Sequence, residues 1–236
     1  IRLSGSNVLR CWDPGICDWS DVSPAKGKFD WANADERIAA AERAGVPVMC
    51  VIGGMFLERR KMVPKWAQKR DRSGNKKGNP VARKLWGGTG KERYFQPQME
   101  DWREYVAAVA KRYKGRIKYY EMMNESDLYM PISIYMEYMK AAAEEIRKND
   151  PNAVILGICS TADKTVDPNA DTATALGKCI KQGADKYMDH ITIHPYAMLD
   201  QKQAEERRNH LAFLKKHGVK AGLWTGEAYF MISSWM

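Results

Sequence analysis

Stretches in which nearly every position is apolar alternate along this chain with stretches in which apolar residues recur every three or four positions. Val46-Pro47-Val48-Met49-Cys50-Val51-Ile52, closed by Gly53-Gly54, is a continuous apolar run, the pattern of a strand covered on both faces of a parallel sheet. Further strands are predicted over residues 7–12, 117–122, 153–158, 189–194 and 219–224. Over 31–44, Ile38, Ala41 and Ala44 share a face while Asp35, Glu36, Arg37, Glu42 and Arg43 surround it, a helix stopped by Gly45. Trp102, Tyr105, Val106, Val109 and Tyr113 mark a helix over 98–114, and others are predicted over 132–149, 172–182 and 201–217. Six strands in alternation with five helices imply parallel βαβ units. Two architectures fit, an open doubly wound sheet and a (β/α)8 TIM barrel of which the chain supplies part. No glycine-rich phosphate loop follows a strand, and polar motifs trail the carboxyl ends of several strands. That distribution favours the barrel.

Composition narrows the setting. With 44% hydrophobic residues, 236 residues can bury one large core, so 1–236 is read as a single α/β domain. No apolar run is long enough to span a membrane, and Ile1-Arg2-Leu3-Ser4 lacks a leader's pattern. A soluble protein without a membrane partner is expected. Because the first residue is not Met, a removed leader stays open, which would favour a secreted or periplasmic location. Of the five cysteines, Cys11, Cys50 and Cys159 fall inside expected strands and read as small core residues; a Cys11–Cys17 bridge is an open alternative. No CxxC pair occurs, and neither a metal nor a cofactor is expected.

The formal charge of +9 is densest over 58–93, which holds Arg59, Arg60, Lys61, Lys65, Lys69, Arg70, Arg72, Lys76, Lys77, Arg83, Lys84, Lys91 and Arg93. Between Gln68 and Gln96 no apolar period is visible, so this is read as a long excursion on one rim that attracts anions. Its aromatics are too sparse for a nucleic-acid surface, and no nucleic-acid partner is expected.

Two glutamates about a hundred residues apart, in Tyr120-Glu121-Met122-Met123-Asn124-Glu125 and Leu223-Trp224-Thr225-Gly226-Glu227-Ala228, stand where expected strands run out. Carboxylate pairs at strand ends are the minimum equipment for cleaving a glycosidic bond, and in a barrel all such ends open on one rim.

With the motifs Leu9-Arg10-Cys11-Trp12, Ser23-Pro24-Ala25-Lys26-Gly27-Lys28-Phe29-Asp30-Trp31, Val63-Pro64-Lys65-Trp66-Ala67 and Ile193-His194-Pro195-Tyr196, the chain resembles the clan A retaining (β/α)8 glycoside hydrolases, nearest to the family 39 type. The resemblance implies Glu125 as acid/base after the fourth barrel strand and Glu227 as nucleophile after the seventh. It further implies that Arg10 keeps Glu227 ionised, that Glu125 holds its proton, and that Asn124 donates to the sugar 2-hydroxyl. His194 would line the sugar site, Tyr196 would bond the nucleophile, and Trp12, Trp66, Trp224 and Trp235 would offer faces for stacking. The chain departs from the clan in having Ser126 after Asn124-Glu125 and Gly226 between Thr225 and Glu227. It supplies the equivalents of strands two to seven, so the natural polypeptide is expected to be longer, or strands one and eight to come from elsewhere. The expected function is retaining hydrolysis of O-glycosidic bonds in an oligo- or polysaccharide, anionic if the basic segment flanks the cleft. A noncatalytic carbohydrate-binding barrel is the alternative; oligomeric state stays open.

Overall fold

The computed structural model describes residues 7–12, 15–70, 78–80, 93–160, 174–194 and 200–227. In chain order the elements are β1 (Leu9–Cys11), α1 (Trp19–Val22), α2 (Ala32–Ala44), β2 (Val48–Ile52), β3 (Gly78–Pro80), β4 (Arg93–Phe95), α3 (Met99–Arg112) and β5 (Ile117–Met122). They continue with α4 (Ile132–Asn149), β6 (Val154–Ser160), α5 (Ala175–Lys181), β7 (His190–Ile193), α6 (Asp200–Lys216) and β8 (Gly222–Thr225). Among the described residues, short 3₁₀ turns intervene at Glu58–Arg60, Ser126–Leu128 and Ala184–Lys186.

Six strands form one sheet in the order β1-β2-β5-β6-β7-β8, every neighbouring pair parallel. All five residues of β2 are buried, as a strand covered on both faces requires. Laid flat, five strand steps of ~4.8 Å would separate β1 from β8 by roughly 24 Å. Instead the Arg10 side chain on β1 stands 2.5 Å from Glu227, just beyond β8. Only a strongly curled sheet permits that contact, and the architecture is the expected arc of a (β/α) barrel.

Helix α2 ends where the sequence requires. Gly45 takes φ 67 and its N–H bonds the carbonyls of Ala41 and Glu42, a left-handed cap that a side chain would disfavour. Between the sheet and α3 with α4 lies an aromatic core. Trp102 is fully buried, its ring edge-on to Phe56 and Tyr138 and its Nε1 donating to the Tyr138 carbonyl at 2.9 Å. Tyr105 stacks on Trp19 at 4.8 Å and donates its hydroxyl to the Cys17 carbonyl. Cys17 and Cys50 are buried, Cys11 is half-buried, and all three are free thiols, so the Cys11–Cys17 bridge is not formed.

One stretch corrects the sequence reading. Within the supposedly irregular 68–96, Gly78–Pro80 and Arg93–Phe95 pair antiparallel as β3 and β4, and Tyr94 bridges to Leu57. Three-residue strands are too short to show a period, so pattern alone could not reveal them. Among the described residues, no helix is long and apolar enough to cross a membrane.

Trp102→Ala removes the centre of the aromatic core and is expected to cost about 3–5 kcal/mol of unfolding free energy. Chemical denaturation checks this; a loss below ~1 kcal/mol would show that the ring is dispensable to packing.

Candidate active site

The site is assembled where parallel strands terminate. Beyond β5 the backbone turns through left-handed Met123 (φ 59) and Glu125 (φ 48), conformations that cost a non-glycine residue about 1–3 kcal/mol each. Bonds to the end of β2 hold the turn: Met123 N–H to the Ile52 carbonyl at 3.1 Å and Asn124 N–H to the Gly54 carbonyl at 2.8 Å. In β6 the register slips between Ile158 and Ser160, with Ile158 at φ 75 and Cys159 at φ 48. This bulge presents the Cys159 thiol to the site, as bulges re-aim side chains elsewhere. Past β7 and β8, His194 N–H bonds the Ser160 carbonyl and Gly226 N–H the Ile193 carbonyl, both at 3.0 Å. The ladder is thereby extended up to the residues that matter.

Arg10 is the hub. Its Nε donates to Glu121 Oε2 at 2.6 Å, Nη1 to Glu227 Oε1 at 2.5 Å and Nη2 to Asn124 Oδ1 at 2.9 Å. Burial works against the guanidinium charge, but the Glu121 carboxylate, with Glu227 beyond it, more than offsets this and holds its pKa above an already high range. Nη2 also lies 3.4 Å from His194 Nε2 and 3.5 Å from Cys159 Sγ. Because Arg10 can only donate, His194 Nε2 must accept, which places the ring proton on Nδ1. Nδ1 then donates to Glu125 Oε1 at 2.8 Å and stands 3.8 Å from Glu227 Oε2. One carboxylate oxygen of Glu125 and one of Glu227 come within 4.8 Å of each other around that imidazole.

The Cys159 thiol is 3.1 Å from His194 Nε2. Burial pushes its pKa well up, the Glu121 charge adds to the shift, and Arg10 opposes it; the group is a neutral S–H. Cys159 faces this polar cluster, which corrects its reading as an apolar core residue.

Arg10, Asn124, Glu125, His194 and Glu227, all singled out from sequence, are thus brought together. Among the described residues, Trp12, Trp66 and Trp224 are not part of the hydrogen-bonded cluster. Trp12 lies under the Arg60 guanidinium at 5.0 Å. Trp66 donates its Nε1 to the Ser23 carbonyl. Trp224 shares the inner face of the sheet, its ring 5.3 Å from His190 and 5.1 Å from Tyr119. Tyr196 and Trp235 lie outside the described residues.

Three participants were not singled out. Glu121, the next-to-last residue of β5, is fully buried, and a carboxylate in the buried end of a strand is itself a signal, since it demands a cation. Cys159 depends on the bulge, which no local pattern announces. Gly226 has a steric role: a Cβ there would lie 2.9 Å from His194 Nε2 and 3.1 Å from Glu121 Oε1.

Glu125, His194 and Glu227 form one group of potential metal donors and Glu121, Cys159 and His194 another, each with ligand atoms within 4.8 Å of one another. Arg10 Nη2 already contacts Glu121, Cys159 and His194 of the second group, and Nη1 contacts Glu227 of the first.

The glycosyl hydrolase family 10 model matches residues 16–221. A thermostable mutant of a xylanase from Cellvibrio japonicus superposes with TM-score 0.67 at 15% identity, covering 98% of this chain and 63% of that one. A family 39 β-xylosidase from Caulobacter crescentus gives 0.59 at 17% identity over 89% of this chain and 44% of that one. A family 39 glycoside hydrolase from Bacteroides cellulosilyticus WH2 gives 0.55 at 19% over 83% and 34%. The chain therefore spans between about a third and two thirds of the length of these structures, and at such identities the likeness establishes the (β/α)8-type fold. No curated protein matches the chain. The expected place in clan A stands, with family 39 structures among the matches, and by the family match over 16–221 the chain belongs to glycosyl hydrolase family 10.

Proposed function

We propose that this chain carries the centre of a retaining glycoside hydrolase, with Glu227 as nucleophile and Glu125 as acid/base, and that 1–236 acts as one catalytic domain. The approach of one oxygen from each carboxylate to within 4.8 Å carries the reading, because retaining enzymes hold their carboxyls roughly 5–5.5 Å apart and inverting ones much farther.

In the first step Glu227 attacks the anomeric carbon while Glu125 gives its proton to the departing glycosidic oxygen, leaving a glycosyl ester on Glu227. In the second, Glu125 takes a proton from water, the resulting hydroxide equivalent attacks the same carbon, and Glu227 departs as carboxylate. Arg10 holds Glu227 through Nη1 and favours its ionised form. His194 orients Glu125 through Nδ1. Asn124 accepts from Arg10 through Oδ1 while its buried Nδ2 has no partner among the described residues, which leaves a donor for a sugar hydroxyl.

The xylanase and β-xylosidase names of the similar structures point to a xylose-based glycan as substrate. The basic segment 58–93 favours one carrying carboxylate or sulfate groups.

Glu125→Ala and Glu227→Ala are each expected to lower kcat/KM on xylan at least ~10²–10⁴-fold. Near-parental rates in either would remove the assignment, and a parent protein that binds xylan without cleaving it would make this a binding barrel. Gly226→Ala, whose new methyl displaces His194, is expected to lower kcat on the order of 10–100-fold with the circular dichroism spectrum unchanged; parental kcat would contradict the close approach. For an acidic xylan, KM is expected to rise with ionic strength between 0.02 and ~0.5 M salt. A flat KM would exclude recognition of the glycan's charge.

A further inference from the structure

Glu121 takes no part in the double displacement, yet it is as fully buried as any of the described residues. One oxygen, Oε2, lies 2.6 Å from both Nε and Nη2 of Arg10, while Oε1 has no hydrogen-bond partner among the described residues. We infer that Glu121 is a positioning residue that fixes the plane of Arg10 and draws off part of its charge, so that Glu227 is aimed and ionised without being over-stabilised. The inference rests on the reading of Glu227 as nucleophile.

The geometry supports it in two ways. A guanidinium is a planar fork, and contacts along its Nε–Nη2 edge fix that plane. Nη1, on the far side, is then directed at Glu227 Oε1. Without that edge contact Arg10, extending from the short strand β1, could rotate Nη1 off the nucleophile.

The second argument is charge. Among the described residues, Arg10 contacts Glu121 and Asn124 from β5 and its turn, Cys159 from β6, His194 after β7 and Glu227 after β8, while Glu125 stands one step further off, bonded to the other ring nitrogen of His194. One fixed cation is shared between the carboxylates of Glu121 and Glu227. A carboxylate that had the cation to itself would be easier to ionise and a weaker nucleophile. Glu121 limits that trade by keeping a second negative charge on the same fork, in a place that substrate cannot reach.

Glu121→Gln tests this, because it keeps the shape and an oxygen acceptor for Arg10 but removes the charge. Losing a nearby anion and releasing Arg10 to Glu227 act in the same direction. The acid limb of the kcat/KM profile is expected to move to lower pH by about one unit, and covalent labelling by a 2-deoxy-2-fluoro-xyloside to slow about tenfold or more, with KM little changed. Glu121→Asp keeps the charge but shortens the reach. It is expected to leave the acid limb where the parent has it while lowering kcat, and this arm remains informative should the Gln variant fail to fold. The inference is overturned if Glu121→Gln labels at the parental rate with an unmoved limb, or if Glu121→Asp keeps the parental kcat or shifts the limb. Labelling of the parent on Glu227 beside an unaltered Glu121→Gln would overturn this inference alone, whereas labelling of the parent on another residue would take the functional reading down with it.

Discussion

A guanidinium withdrawn from water has to be neutralised where it lies, and that requirement at Arg10 organises the site. Its partners come from near the end of β5, at Glu121, from the turn after β5 and from Glu227, two residues beyond β8. These lie far apart along the chain and, in a flat sheet, would lie far apart in space. Satisfying one buried cation therefore goes together with curling the sheet until its first and last strands aim side chains into the same hollow. Breaking such an arrangement by removing one partner leaves an uncompensated buried charge, which is costly; the pairs themselves are better regarded as fixing geometry than as a source of stability.

Around that cation the remaining polar groups follow by donor and acceptor logic. Arg10 offers only donors, so the imidazole of His194 must accept on one side and donate on the other, toward Glu125. The thiol of Cys159, kept neutral by burial, joins without adding charge. Left-handed backbone at Met123, Glu125, Ile158 and Cys159 is concentrated where β5 and β6 run out toward the polar cluster. Strain of this kind persists only where surrounding contacts over-determine it, and here the bonds from Asn124 and Met123 to the end of β2 supply such contacts.

Much of this was legible in the sequence. Within the apolar run at 46–52, Val48–Ile52 is a wholly buried strand, and the helix expected over 132–149 has those bounds, because long periodic segments bury one face whatever their neighbours do. Strand-end residues were legible for a related reason: a polar residue at the edge of a buried run has to face either solvent or a site. What escaped were features set by tertiary approach. The ribbon of β3 and β4 is too short for a period, and the bulge that turns Cys159 inward leaves no local mark. Gly226 looked like an insertion ahead of Glu227, whereas the structure gives it a reason, since the His194 ring and the Glu121 carboxylate leave no room for a side chain. Glu121 itself could have been found, because a carboxylate within 117–122 needed a cation and Arg10 already stood among the candidates.

The central claim is that Glu125 and Glu227 lie close enough for one to attack the sugar carbon directly, with no water between. The stereochemistry of the first-formed product reads this most directly. Proton NMR of the reducing-end anomeric signal during early hydrolysis of a β-1,4-linked xylo-oligosaccharide should show the β-anomer appearing first and the α-anomer only by later mutarotation. Initial formation of the α-anomer would mean that water attacks from the opposite face, and would contradict the account.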